Sequence, residues 1–519
     1  MKTTITLLLI TISFFQLFGQ SPVLVTDFNQ GSADSFDEWN YLGTSIGDYL
    51  ILPVSSNEVG LEPGVYSNGT LSILKDINEG SASSNPSQFT EFNGKVYFSA
   101  NNASGGALYV TDGTPEGTEM LFEFTSGAPV GLIVANPNHL YFSSGNTLFR
   151  TNGVELENMF SGIRLRRHQW GQNANFNLYR GNFAFALPDA SSIELYIVEG
   201  SEVVKKAIIS DLDWTSNRDI VGLNELENGL IFGLEGIPSS SEALGTYLYN
   251  ESDSSINKMF IEDSQVSRYI PFNSEYCLGW VRERGYYIIN GQEDEETLVV
   301  GSSLWSFPQN ESFEYATSGD QLAFVAGMGG SSFRLHLTNG HPDGTIMLDQ
   351  INSHRSNMIQ KGNFAFIASG TSNGFTPQLI MIDFENKSSS VLHTFNAPSL
   401  RSRSVQLVAV HEDRLFFTSN LDQQVGRELY YLELGFSVNT EEITPIQQLE
   451  TYITNTTYSL KSDTESNYQV EVFSINGQLV ESGMRTTNTH YDYSHLSGMH
   501  LIRFTYKNQT SVEKVVARP

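Results

Sequence analysis

The stretch that decides the fold is Ala107–Leu121, which reads Ala-Leu-Tyr-Val-Thr-Asp-Gly-Thr-Pro-Glu-Gly-Thr-Glu-Met-Leu. Its Tyr and Val residues favour a strand, and Asp112 and Gly113 supply the positive φ angles of a two-residue hairpin turn. The Pro-Glu-Gly that follows predicts a second turn, in which Pro presets φ and Gly117 takes a left-handed conformation. The stretch therefore predicts a strand, a tight turn and a returning strand.

The closest copy within the chain spans Leu335–Leu348. It has Asn-Gly in place of Asp-Gly, and it keeps the Pro-acid-Gly-Thr turn, here with Asp343 as the acid, in the same register. Two copies of so particular a turn indicate an internal repeat. The residues that define the repeat turn are Asp112, Gly113, Thr114, Gly117, Asn339, Gly340 and Gly344.

Short apolar strands precede these turns and recur along most of the chain. Their interval is about 42–51 residues, which is the range for four-stranded propeller blades. They are apolar on both faces, as expected for sheets packed between two neighbours. The sequence thus predicts an all-β protein, a multi-bladed β-propeller of roughly seven to nine blades with repeats of about 46 residues. The nine units that we count are Leu50–Leu52, Asn93–Ala100, Leu140–Phe142, Phe183–Phe185, Leu230–Phe232, Cys277–Trp280, Leu322–Phe324, Phe364–Phe366 and Leu415–Phe417.

The two ends of the repeat region complement each other. Val23–Phe28 corresponds only to the last strand of a unit, and Arg427–Leu434 is a third strand without a fourth strand after it. We therefore expect Val23–Phe28 to complete the blade that begins near Val405, because closure removes the open edge of a row of blades.

The first twenty residues are typical of a secretory signal peptide. Lys2 is followed by the apolar run Ile5–Ile10, which is too short to span a bilayer. No later stretch is apolar for long enough to form a membrane helix, so we expect an exported protein without a transmembrane segment. The formal net charge of −29 argues against nucleic acid as a partner, and the single cysteine, Cys277, excludes an internal disulfide.

The repeat pattern ends near Phe436, so we assign residues 21–436 to the propeller and residues 437–450 to a polar linker. Residues 451–519 then predict a small β-sandwich, with alternating strands and an Asn-Gly hairpin turn. Its features are the Val-Phe-Ser-Ile-Asn-Gly-Gln-Leu-Val hairpin at Val472–Val480, the Tyr-Ser-His-Leu-Ser-Gly segment at Tyr493–Gly498, and a closing Lys-Val-Val.

This tail resembles the type A C-terminal sorting domain of the type IX secretion system of Bacteroidota, on motifs that include Gly477, Gly498 and Lys514. The resemblance implies export across the outer membrane by the type IX secretion machinery, with the tail removed or used for surface attachment. The Leu108–Thr114 unit resembles the Glu-Leu-Trp-x-x-Asp-Gly-Thr repeats of secreted proteins from the same phylum. That second resemblance implies a propeller and no particular activity.

Two sets of residues are candidates for binding. Asp112 and Asp343 offer the hard oxygen ligands that Ca²⁺ prefers. The favoured alternative is that Asp112 only stabilises its own turn, since Asn339 replaces Asp in the second copy. The basic, aromatic cluster of Arg164, Arg166, Arg167 and Trp170 could bind an anionic glycan or a carboxylate. Its alternative is that the arginines pair with acidic residues of neighbouring blades.

No residue is assigned as catalytic, because the chain has no zinc-protease, nucleophile-elbow or phosphate-loop motif. We therefore expect a secreted or surface-held binding or adhesion module whose ligand is an extracellular glycan or protein. The competing hypothesis is a hydrolase or lyase acting on an extracellular polysaccharide, which would need two carboxylates facing one sugar.

Overall fold

The computed structural model describes the chain from Ser21 onward, with gaps. The described residues are 21–36, 42–124, 134–163, 165, 175–188, 192–210, 218–236, 245–259, 266–272, 276–281, 285–289, 296–301, 315–327, 332–352, 358–369, 376–395, 405–422, 424–434, 451–453, 457–460, 467–474, 479–486, 489, 491–492, 498–506 and 509–517. The chain divides into two compact units, Met1–Val438 and Asn439–Pro519. The predicted signal peptide and linker lie outside the described residues.

Nine four-stranded antiparallel sheets form the blades of a β-propeller in the first unit. The strands of blades 1 to 4, with the N-terminal strand first, are β1 (Val23–Leu24), β2 (Thr44–Ile46), β3 (Tyr49–Ser56), β4 (Gly60–Ser67), β5 (Thr70–Ile73), β6 (Ser87–Phe92), β7 (Lys95–Asn102), β8 (Gly105–Thr111), β9 (Glu119–Phe124), β10 (Val134–Ala135), β11 (Leu140–Ser144), β12 (Thr147–Thr151), β13 (Leu156–Ser161), β14 (Phe176–Tyr179), β15 (Asn182–Pro188), β16 (Ile193–Glu199) and β17 (Glu202–Ile209). Those of blades 5 to 9 are β18 (Arg218–Leu226), β19 (Gly229–Gly236), β20 (Gly245–Asn250), β21 (Ser255–Met259), β22 (Val266–Pro271), β23 (Cys277–Val281), β24 (Gly285–Ile289), β25 (Glu296–Gly301), β26 (Tyr315–Ser318), β27 (Gln321–Gly327), β28 (Ser332–Thr338), β29 (Ile346–Asn352), β30 (Met358–Lys361), β31 (Phe364–Ser369), β32 (Gln378–Asp383), β33 (Ser388–Thr394), β34 (Val405–His411), β35 (Arg414–Ser419) and β36 (Glu428–Glu433).

Blades 1 to 8 are each built from four consecutive strands, beginning with β2–β5 and ending with β30–β33. All nine predicted apolar units lie in the second strand of a blade, from β3 in blade 1 to β35 in blade 9. The all-β propeller is therefore confirmed, and the number of blades is nine, the upper end of the predicted range.

The ninth blade joins the two ends of the unit. Strand β1 pairs with β36, with Val23 opposite Tyr431 and Leu24 opposite Tyr430. The prediction that the N-terminal strand completes the last blade is thus confirmed. The paired edge is the one that an unclosed row of blades would leave open.

The core lies between adjacent blades, whose second and third strands are buried on both faces. One cluster joins Leu50 and Tyr66 of blade 1 to Phe416 and Leu429 of blade 9. Among the described strands, six blades carry a β-bulge at the same place, where the third strand pairs with the fourth. Since a bulge bends and twists its strand, this repeated bulge blunts the outer edge of the blade. Cys277 is fully buried, and burial raises the pKa of its thiol.

The second unit contains two antiparallel sheets, of three and four strands. Its strands are β37 (Thr451–Ile453), β38 (Thr457–Leu460), β39 (Asn467–Ser474), β40 (Leu479–Thr486), β41 (Tyr491–Asp492), β42 (Gly498–Tyr506) and β43 (Gln509–Ala517). In the described part of the chain, no helix has both the length and the apolar character that crossing a membrane requires.

Candidate functional site

The structure places only some of the candidate residues. Arg164, Arg166, Arg167 and Trp170 lie outside the described residues, as does Gly477 of the tail. Within the tail, Gly498 opens β42, and Lys514 of β43 is paired with Leu501 of β42.

Asp112 holds its own turn together. Its Oδ1 accepts hydrogen bonds from the backbone N–H of Thr114 at 2.9 Å and from the Thr114 hydroxyl at 2.7 Å. These bonds hold the pKa of the Asp112 carboxyl below its ordinary value. Asp343 is exposed in the short 3₁₀ turn Pro342–Gly344, and the described residues contain no group of three His, Cys, Asp or Glu placed to hold a metal ion. The geometry of Asp112 matches its turn-stabilising alternative.

The turn itself differs from the predicted pair of turns. Seven residues, 112–118, connect β8 to β9, and Gly113 has a positive φ of +95° while Asp112 does not. Gly117 is not left-handed, so that prediction was wrong. A Cβ at Gly117 would lie 2.0 Å from Asp112 Oδ1, and one at Gly344 would lie 1.8 Å from Asn339 Oδ1. Glycine is required there by the close approach of the turn's own side chain, which the sequence pattern does not reveal.

The first half of the turn recurs in blade 3, which was not predicted from the sequence. In blade 3, Thr151 Oγ1 accepts the backbone N–H of Gly153 at 3.0 Å, as Thr111 Oγ1 does for Gly113. Asn152 Oδ1 accepts the N–H of Val154 at 2.9 Å, in the role of Asp112. The Thr-Asn-Gly sequence after a strand is the signal that could have found it.

A concave pocket lies where the ring closes, between blades 9 and 1, and we call it the seam pocket. Its volume is about 420 Å³, within the range of small-molecule sites. Four separate segments of the chain line it: Val23, Leu24 and Val25; Tyr66, Asn68 and Gly69; Glu412 and Arg414; and Tyr431. None of these residues was predicted as a site from the sequence.

Arg414 is the centre of the seam pocket. Its Nε donates to Glu433 Oε1 at 2.9 Å, and its Nη1 donates to Glu412 Oε2 at 3.0 Å and to Tyr66 Oη at 3.3 Å. The guanidinium carbon lies 5.0 Å from the centre of the Tyr431 ring, in cation–π contact. The hydrogen bond to Glu433 is the main reason that the pKa of Arg414 is raised. These contacts hold the guanidinium in place while no residue accepts from Nη2 in the described part of the chain.

The remaining wall of the pocket is a hairpin turn. Asn68 and Gly69 connect Ser67 of β4 to Thr70 of β5, and both have positive φ, 51° and 81°. Positive φ at both positions is the two-residue turn that suits the twist of a hairpin, and Asn-Gly is its preferred sequence. Asn68 lines the pocket together with Arg414 and Glu412, and its side-chain amide donates to the Ser67 hydroxyl at 3.2 Å.

A buried carboxylate lies on the same seam. Glu428 of β36 is fully buried, and it accepts the Ser35 hydroxyl at 2.6 Å and the Phe28 backbone N–H at 3.3 Å. Burial raises the pKa of Glu428 to about 7, and the charge of nearby Asp27 adds to the rise. Glu428 thus connects the segment that follows β1 to blade 9 through hydrogen bonds. This role was not visible in the sequence.

No protein-family model matches this sequence, and no curated protein matches it either. Among solved structures it is similar to the computationally designed protein Ika8, at 10% identity and a TM-score of 0.40, over 66% of this chain and 95% of that one. It is similar to BamB from Moraxella catarrhalis, at 10% identity and a TM-score of 0.35, over 80% of this chain and 97% of that one. It is also similar to PorZ of Porphyromonas gingivalis, which is described as a bacterial surface component of the type IX secretion system. The sequence identity is 11% and the TM-score is 0.24, over 91% of this chain and 74% of that one. At identities and TM-scores this low, these likenesses bear on neither ligand nor activity.

Proposed function

We propose that the protein is a non-catalytic binding module, exported by the type IX secretion system and then secreted or held at the cell surface. Its ligand is an extracellular glycan, which binds in the seam pocket. The observation that supports the proposal is the arrangement around Arg414: a guanidinium held on the ring of Tyr431 and bonded to the Glu412 carboxylate, in a pocket that Asn68 also lines. The donors and acceptors of these side chains suit a ligand with many hydroxyl groups.

The size of the pocket favours a glycan over a folded protein partner. A stable protein interface buries about 1,200–2,000 Å² in total, which is far more than a concavity of this kind offers. A cavity of about 420 Å³ fits one or two sugar units. The seam pocket therefore suits a glycan chain end or a short segment.

The pocket also favours binding over hydrolysis. Glycoside hydrolysis in most families uses two carboxyl groups on either side of the scissile bond. Of the described residues that line the seam pocket, Glu412 alone carries a carboxylate, and it is engaged by Arg414.

The export route rests on the sequence. A leader-like segment precedes Ser21, and the motifs around Val472–Val480, Gly498 and Lys514 resemble a sorting tail. Removal of residues 451–519 should keep the protein inside the cell envelope, as followed by immunoblotting of cell-surface and medium fractions. Unchanged appearance outside the cell would contradict this route.

The binding proposal is tested with the full chain on cellulose, xylan, starch and alginate, scoring retention and new reducing ends together. We expect retention on at least one polysaccharide without new reducing ends, and loss of retention in Arg414→Ala. Arg180→Ala is the matched control, because Arg180 also stacks on a tyrosine and pairs with a glutamate, between blades 4 and 5. Equal retention of both variants would overturn the assignment of the site, and new reducing ends would make the protein an enzyme.

A further inference from the structure

Strand β1 is both the closure of the ring and a wall of the seam pocket. It contributes only two paired residues, and Val25 then donates its backbone N–H to Leu429 O at 2.9 Å. Tyr431 pairs with Val23 and at the same time carries the guanidinium of Arg414 on its ring. The pocket therefore exists only while β1 is in place.

The charges around the pocket select among sugars. One guanidinium, that of Arg414, is hydrogen-bonded to two carboxylates, those of Glu412 and Glu433. His411, which precedes this turn, has a pKa lowered by burial, and so it adds no positive charge at neutral pH. Arg414, Glu412 and Glu433 together carry one negative charge in excess, and Asp413 lies between Glu412 and Arg414 in a chain whose formal net charge is −29. A sugar that carries its own carboxylate would be repelled, whereas hydroxyl groups can donate to Glu412 and accept from Nη2 of Arg414.

We propose that the seam pocket binds an uncharged sugar unit, and that the bound sugar fastens β1 to blades 9 and 1. This inference rests on the proposed glycan-binding function. A ligand that binds the closed ring and not the opened one shifts the equilibrium toward closure in proportion to its saturation. Opening of a two-residue edge strand is a local event, well below the cost of unfolding the propeller. The sugar would thus act on a strand that pairs with the ring through only two residues.

The experiment follows amide hydrogen exchange in the full chain, with cellohexaose, laminarihexaose or maltohexaose as neutral probes and hexagalacturonate as the acidic one. The amide to follow is that of Val25, and Leu74 is its internal control. Leu74 occupies the corresponding place after β5 and donates to Pro63 O at 2.8 Å, away from the residues that line the pocket. At a sugar concentration ten times Kd, exchange at Val25 should slow about 11-fold, and exchange at Leu74 should not change. Arg414→Ala should abolish the slowing, and Arg180→Ala should retain it.

The outcomes separate this inference from the function on which it rests. If a neutral sugar binds and Val25 exchanges as before, the fastening is wrong while the binding function stands. If hexagalacturonate binds more tightly than the neutral probes, the assignment to uncharged sugars is wrong. If none of the four probes binds, the glycan-binding function fails, and this inference fails with it.

Discussion

Two loops of this propeller share a sequence and differ in what they connect. The closing loop, Val25–Phe36, runs from β1 toward blade 1, and the internal loop, Leu74–Asn85, runs from blade 1 to blade 2. Both read Asp-x-Asn-x-Gly-Ser-Ala-x-Ser. In both, the aspartate Oδ2 accepts the N–H of the glycine four residues later, at 3.0 Å in the closing loop and 3.1 Å in the internal loop.

Each loop surrounds a fully buried glutamate from the third strand of the preceding blade. Glu428 serves the closing loop and Glu62 the internal loop. The hydrogen bonds of Glu62 span 15 and 22 residues, whereas those of Glu428 span 393 and 400. The same local chemistry therefore shapes a loop in one place and joins the two ends of the propeller in the other.

The partners of the two carboxylates occupy corresponding positions. Glu62 accepts the backbone N–H groups of Ile77 at 2.9 Å and Ser84 at 2.8 Å, and the Ser84 side chain is also a partner. Glu428 accepts the Phe28 backbone N–H at 3.3 Å and the Ser35 hydroxyl at 2.6 Å, and the Ser35 backbone N–H is also a partner. Burial raises the pKa of both carboxyl groups, so the two loops differ in what they connect and not in their local chemistry.

The largest effect should come from removing the closing strand. Deletion of Val23–Phe28 takes away β1 and one partner of Glu428, and it leaves β36 with an open edge. We expect the melting temperature to fall by several °C, followed by differential scanning calorimetry. An unchanged melt would show that the closing loop is no more important than the internal one.

A smaller effect concerns pH. Since the pKa of folded Glu428 is raised to about 7, the folded state keeps its proton at pH values where the unfolded state has lost it. The contribution of Glu428 to stability is therefore full below about pH 4.5 and is lost as pH rises through about 7. Glu428→Gln, which can accept from Phe28 and donate to Ser35, should remove this part of the pH dependence. The measurement is urea unfolding of variant and parent at pH 5 and pH 8.

Glu62→Gln is the control for that experiment. Burial also raises the pKa of the Glu62 carboxyl, so its contribution to stability changes with pH in the same direction as that of Glu428. A glutamine at position 62 cannot ionise, so it should remove the Glu62 part of the pH dependence and leave the Glu428 part. If Glu428→Gln keeps the pH dependence of the parent protein, the assignment of that dependence to the closing loop is wrong.

The smallest effect should be equal in the two loops. Gly31 and Gly80 both have a φ of +89°, with open space where a Cβ would stand. Replacement by alanine costs only the left-handed backbone conformation, about 1–2 kcal/mol in each loop. Chemical denaturation of Gly31→Ala and Gly80→Ala should therefore give the same loss of unfolding free energy. A clear difference would mean that the two loops are not equivalent even in their local geometry.

The features of this fold that depend on a few consecutive residues could be predicted from the sequence. The nine apolar strands, each a few residues long, identified the second strand of every blade, and the correspondence of Val23–Phe28 to the last strand of a unit indicated the closure. The prediction that Gly117 adopts a left-handed conformation was wrong. A Cβ at this position would contact the Asp112 side chain, and such contacts are not visible in a pattern of turn residues.

The sequence by itself determined the repeat, the all-β class and the strand that closes the ring, because alternating apolar strands and turn residues act over a few positions. Only the tertiary structure decided the seam pocket and the burial of Glu428. The pocket is assembled from residues near positions 23, 66 and 414, and the charge on Glu428 depends on a loop 400 residues away. Burial and charge are properties of neighbours in space, and closure of the ring is what makes those residues neighbours.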